Sequence, residues 1–167
     1  MAVGKTADFS DEEGKNNKPE NAGDWGARRV IEADRIEWLC TDAEALQLVT
    51  HRGIAVKRAR VDGELILQFA RIPFAFDFWR SAFGEEINLQ HAEVRALNLE
   101  GTHTRGIRAD GLKVEGSVYF RNGFKTSGEV RLLGARIGGN LDCENGQFSN
   151  EGEKEGKNEG EAYFDSN

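Results

Sequence analysis

The sequence predicts an all-β domain of the solenoid kind: a parallel β-helix with an α-helical cap at its N-terminal end. Three observations predict it. From Ile54 to Phe148, small or apolar residues recur as i, i+2 pairs, each pair starting five or six residues after the last. Thirteen glycines fall within residues 53–150, largely between the pairs. Before Ile54 the period is a different one, closer to that of amphipathic helices.

An i, i+2 pair places both side chains on one side of an extended segment. A step of five then demands a sharp corner after each short strand, where glycine and polar residues are suited. A narrow coil of short parallel strands with the pairs stacked inward satisfies both conditions, and an internal repeat of this kind signals a solenoid. An amphipathic helical repeat would need i, i+3, i+4 spacing, and the glycines argue against it. A hairpin sandwich would show longer alternating strands and two-residue turn signals, which are absent.

Residues 1–24 are polar and charged, with Pro19 in an NNKPEN run. Such a segment buries too little apolar surface to offset its ordering entropy, so it is expected to be a disordered acidic tail. Order is expected from Trp25, with residues 25–52 as the helical cap. ARRVIEADRIEWLC carries its apolar residues without strand alternation and reads as one helix. Thr41-Asp42-Ala43-Glu44 reads as a capping box that starts a second short helix through AEALQLV, ending before His51-Arg52-Gly53. These helices have a role, because an open coil end exposes unpaired backbone and apolar side chains.

The repeat domain spans residues 53–148. Its pairs are Ile54/Val56, Ala59/Val61, Leu65/Leu67, Ala70/Ile72, Phe76/Phe78, Ser81/Phe83, Ile87/Leu89, Ala92/Val94, Leu97/Leu99 and Thr102/Thr104. They continue as Ile107/Ala109, Leu112/Val114, Val118/Phe120, Asn122/Phe124, Val130/Leu132, Ala135/Ile137, Leu141/Cys143 and Gly146/Phe148. An aspartate at Val130 would accordingly bury an unpaired charge within the stack. Residues 149–167 form an acidic, low-complexity tail, in which Ala162-Tyr163-Phe164 could supply one further strand. An open last coil invites end-to-end pairing of two copies unless that tail shields it.

Composition bounds the function. The chain has 167 residues, enough for one domain, with 38% apolar residues and a net charge of −7. The charge is −5 over residues 1–50, +2 over 51–150 and −4 over 151–167, so the repeat body is nearly neutral. No apolar run approaches the ~20 residues that span a bilayer. The N-terminus shows no apolar core of a secretory signal. Cys40 and Cys143 form no ligand spacing and read as free thiols. A cytoplasmic protein is expected.

The small-x-apolar units Ala59-Arg60-Val61, Ala70-Arg71-Ile72, Ala92-Glu93-Val94 and Ala135-Arg136-Ile137 resemble those of the pentapeptide-repeat proteins. That resemblance implies a right-handed quadrilateral β-helix with four short faces per coil, hence four to five coils here. ADGLKVEGSVYFRNGFKTSGEVRLLGARIGGNLDC, preceded by IEWLCTDAEAL, is more closely similar to uncharacterised bacterial proteins with the same repeat unit. The likeness covers residues 28–150. Six-residue steps and few Asp or Asn before the central residue depart from the strict repeat and bear on the corners.

No candidate site emerges. His51, His91 and His103 lack converging partners for a metal. His91 is expected at a corner and His103 outward, between inward Thr102 and Thr104. Cys143 is expected inward as a small apolar residue and Cys40 on the cap helix. Asp62, Glu64, Asp77, Asp110, Glu115, Glu129, Asp142 and Glu144 are outward carboxylates that suit a mixed-sign solvated surface. The glycines of LLGARIGGNLD lack the context of a phosphate loop. No catalytic, cofactor or metal residue is assigned. A non-enzymatic scaffold or protein-interaction module is expected, with another protein as partner. The alternative is inhibition of a topoisomerase-like enzyme by charge mimicry of DNA, which needs a strongly negative face. A carbohydrate-binding or enzymatic β-helix ranks below both.

Overall fold

Stacking the pairs requires equivalent positions of successive coils to pair in parallel, and they do. In the computed structural model, which describes residues 5–11, 14 and 16–150, Ile54 pairs with Phe76, Phe76 with Leu97, Leu97 with Val118 and Val118 with Leu141. The chain forms a parallel β-solenoid of about four turns with four faces per turn. The first face runs through those residues. The second carries Arg60–Asp62, Ala82–Phe83, His103–Thr104, Lys125–Thr126 and Gln147–Phe148. The third carries Leu65–Ile66, Ile87–Asn88, Ile107–Arg108 and Val130–Arg131. The fourth aligns Arg71, Glu93, Lys113 and Arg136.

The inward pairs build one continuous core, from Ile54 to Phe124 nearly all buried. Phenylalanine rings meet across corners and turns, as in Phe120–Phe124 at 4.9 Å and Phe124–Phe148 at 5.4 Å between centroids. Steps of five and six follow from the corners. Two linking residues join the first face to the second and the third to the fourth in most turns, and the second of them is left-handed. At the first of these corners Arg58, Arg80 and Gly101 have φ of 56°, 46° and 66°. At the other Phe69, His91, Gly111 and Gly134 have φ of 61°, 55°, 66° and 67°. A third linking residue at a corner gives a step of six. One expected pair is corrected by this rule: Asn122 is an exposed left-handed corner residue, and the inward pair is Phe124/Thr126.

Three devices close the N-terminal end. Ala7–Asp8 pairs with Val56–Lys57, and Val30–Glu32 pairs with Arg60–Asp62, which supplies the outer partners of two first-turn strands. Helix α1, Ala33–Thr41, covers the interior with Ala33, Ile36, Leu39 and Cys40. Its Glu37 carboxylate accepts the Ile66 amide of the third face at 2.6 Å. The expected single helix is thus a strand followed by a helix, because β-branched Val30 and Ile31 gain a ladder against Arg60–Asp62 that local periodicity does not reveal. Asp42, not Thr41, caps helix α2, Ala43–Leu46, accepting from the amides of Glu44 and Ala45 at 3.0 and 2.9 Å. The Thr41 hydroxyl donates back to the Glu37 carbonyl.

The expected disordered tail over residues 1–24 is likewise corrected in its described part. Besides the strand at Ala7–Asp8, Pro19–Asp24 forms a 3-10 helix, and Ala22 and Trp25 are buried. Of the C-terminal tail, residues 151–167, with the expected strand at Ala162–Phe164, lie outside the described residues. In the last turn the inward positions lose cover. Val130, Leu132, Ala135 and Ile137 are half-buried, and Leu141, Cys143 and Phe148 are exposed.

Candidate functional site

A solenoid turns the middle residue of each pair outward, so function on this fold resides in outward columns. On the fourth face Arg71, Glu93, Lys113 and Arg136 stand in line beside an open groove of about 730 Å³ that Arg95 and Glu115 also line. The Lys113 ammonium lies 2.8 Å from Glu93, and this hydrogen bond draws the Glu93 carboxyl below its ordinary range. On the third face Arg108 bridges Glu64 and Glu86 at 2.6 and 2.9 Å, and Arg131 pairs with Asp110 at 2.8 Å. On the first face Ala55, Asp77, Asn98, Tyr119 and Asp142 align. There Arg121 lies over the Tyr119 ring and bridges Glu100 and Asp142. Burial raises the Asp77 carboxyl, and a hydrogen bond from Asn98 offsets part of the rise.

The eight outward carboxylates therefore do not converge. Asp62 pairs with Arg60, Glu64 with Arg108, Asp110 with Arg131, Glu115 with Arg95 and Asp142 with Arg121. Asp77 is half-buried on its own face, and Glu129 and Glu144 make no ion pair among the described residues. No group of three or more His, Cys, Asp or Glu among the described residues is placed to hold a metal ion. His51 is exposed in the loop after α2, and His91 stacks on Phe69 with centroids 5.2 Å apart. Thr102 and Thr104 point inward; the Thr102 hydroxyl donates to the Phe78 carbonyl at 2.7 Å and accepts the Ser81 amide. Burial pushes the Cys40 thiol up to about 12, as befits a packed residue and not a nucleophile. Cys143 keeps its inward register, yet it is exposed, since no further turn stacks on it among the described residues.

The second face is different, and sequence reasoning missed it. Its outward column is Arg60, Ala82, His103 and Lys125. Residues 20–25 lie across that column. The Glu20 carboxylate sits 3.2 Å from Lys125 and 3.8 Å from His103. Ala22 and Trp25 are buried against Ala82. Arg60 donates to the carbonyls of Ala22 and Gly23 at 3.1 and 3.3 Å. Arg29 stacks on the Trp25 ring at 3.8 Å. The one sequence signal was a tryptophan ending a polar segment, opposite a column whose outward residue Ala82 is small. Burial lowers the His103 pKa against the opposing pull of Glu20, so the imidazole is neutral near pH 7 and Lys125 is the partner that carries charge.

The fold defines the class, a β-solenoid repeat protein. No protein-family pattern, curated protein or solved structure matches the chain. No helix among the described residues is long and apolar enough to cross a membrane.

Proposed function

We propose that this chain is a non-enzymatic scaffold or protein-interaction module of the pentapeptide-repeat-like type, working in the cytoplasm. The observation that carries the reading is the outward surface: side chains stand in straight columns at one-turn spacing and pair with neighbours instead of converging on a cavity. Repeat solenoids use such extended surfaces to hold partners. The small-x-apolar units and the four-faced turn support the pentapeptide-repeat-like assignment. Two free thiols suit a reducing compartment.

Charge mimicry of DNA has no observation in its favour. The second and third columns carry Arg60, Lys125, Arg108 and Arg131, and the fourth sets Arg71, Lys113 and Arg136 beside Glu93. The acids Asp77 and Asp142 of the first are two in five, the latter paired with Arg121. Affinity capture from the source cell tests the main reading, using the full chain and four variants, each reversing the charges of one outward column. A partner kept by three variants and lost by one supports the module and maps its face. Capture of nothing above background, or the same proteins on all five baits, would overturn it.

A further inference from the structure

We propose that the outward side of the second face is a docking surface for a short acidic 3-10 turn ending in an aromatic residue, and that residues 20–25 occupy it as a displaceable internal ligand. The proposal deepens the interaction-module reading and rests on it.

The bound segment displays the recognition chemistry. Glu20 meets Lys125 and His103, Ala22 and Trp25 meet Ala82, and the carbonyls of Ala22 and Gly23 meet Arg60. Lys125, His103, Ala82 and Arg60 belong to four successive turns. The contacts of Glu20 through Gly23 therefore reach across three turn spacings, roughly 14 Å at ~4.8 Å per turn; the 3-10 backbone supplies about 6 Å of this at ~2 Å per residue, and the long Glu20, Lys125 and Arg60 side chains supply the rest. The segment lies along the solenoid axis, across the strands. Recognition of this kind reads one outward residue per turn and needs no free sheet edge, unlike strand addition.

The same contacts make the segment releasable. It adds no strand to the second face, whose ladder is complete from Val30–Glu32 to Gln147–Phe148 without it. Its ion pair to Lys125 is partly exposed on both sides, a weak kind of contact. The Trp25 indole N–H is buried without an acceptor among the described residues, so the seat is imperfectly filled. Gly23 and Gly26 flank the tryptophan in open space, with no neighbouring atom within 4 Å of a Cβ placed there. Arg60 is shared with Asp62 at 2.7 Å, which fixes its guanidinium in place for the two carbonyls. A partner segment with the same acid and aromatic, and an acceptor for the indole, fits the seat better than the internal one. The internal segment competes through its high effective concentration.

The test uses the full chain with Glu20→Lys and Trp25→Ala, which cuts both side-chain anchors, and a fluorescent peptide copying residues 16–26. Anisotropy is expected to show binding to this opened chain at least tenfold tighter than to wild type. Adding Lys125→Glu to the opened chain should abolish the gain, as should a peptide carrying the same two substitutions. Circular dichroism checks the fold, and Glu20→Lys alone, which keeps Trp25, should give at least a threefold gain if the double variant is unfolded. Equal binding by wild type and opened chain, or indifference to Lys125→Glu, overturns the proposal. A partner captured through another face would leave the interaction-module reading standing while this surface fails.

Discussion

Gly111 shows how one residue holds a corner. Its φ of +66° is left-handed, and a Cβ there would lie 2.4 Å from Nδ1 of His91, whose ring stacks on Phe69 one turn further back. Gly111→Ala should cost about 1–3 kcal/mol, from backbone strain and overpacking together. His91→Ala in that background should restore the overpacking part and leave the strain, which a double-mutant cycle by urea denaturation measures. Full additivity would show that ring and glycine do not meet. His103 gives a second prediction. Burial depresses its folded pKa below 6.5, so the unfolded chain binds its proton more readily. Its contribution is present above pH 6.5 and lost as pH falls through the depressed value. Glu20, lowered by its own backbone amide and then by Lys125, acts in the same direction below 4.5. The urea midpoint should fall between pH 7.5 and 5.5, and His103→Gln should flatten that fall. An equal fall in both chains would exclude His103 as its source.

At the scale of elements, the cap and the last turn behave differently from the middle. Asp42 serves two amides of α2, whereas the Thr41 hydroxyl bonds back within α1. Asp42→Ala should therefore lower stability by about 1 kcal/mol, and Thr41→Ala by clearly less. The reverse ranking in thermal melts would return the cap to Thr41. Position in the stack also grades the cost of buried charge. Val118 is fully buried between Leu97 and Leu141, whereas Val130 is half-buried in the last turn. Val118→Asp should cost more than about 4 kcal/mol and abolish cooperative melting. Val130→Asp should be distinctly milder, since its carboxylate can reach water. Equal loss in both would mean that the last turn is covered in solution.

For the whole molecule, the asymmetry of the two ends is the main result. The N-terminal end is closed by two strands and a helix, while Leu141, Cys143 and Phe148 of the last described turn are exposed beside strand edges without an outer partner among the described residues. We propose that this edge either pairs with a second copy or is shielded by residues 149–167, because exposed edges template association. Light scattering on the full chain and on one ending at residue 148 separates the cases. A dimer in both supports pairing, and a dimer or precipitate only in the shortened chain supports shielding. Soluble monomers of both would exclude each.

The i, i+2 pairs and their five-to-six step determined the solenoid from sequence alone, because side-chain alternation and corner spacing are local properties. Local properties also identified the glycines as corners. They did not distinguish Asn122 from Phe124 as the start of a pair, since both fit a small-or-apolar reading until the turn above fixes register. Left-handed Arg58, Phe69, Arg80 and His91 were invisible for the same reason: their strain is held by amides bonding to the next turn, as with His91 and Asp110 at 2.7 Å. Only tertiary structure decided that Val30–Glu32 is a strand and that Glu20, Ala22 and Trp25 lie on the second face. Those contacts join residues 30 to 105 positions apart, between side chains whose types carry no mark of their partners.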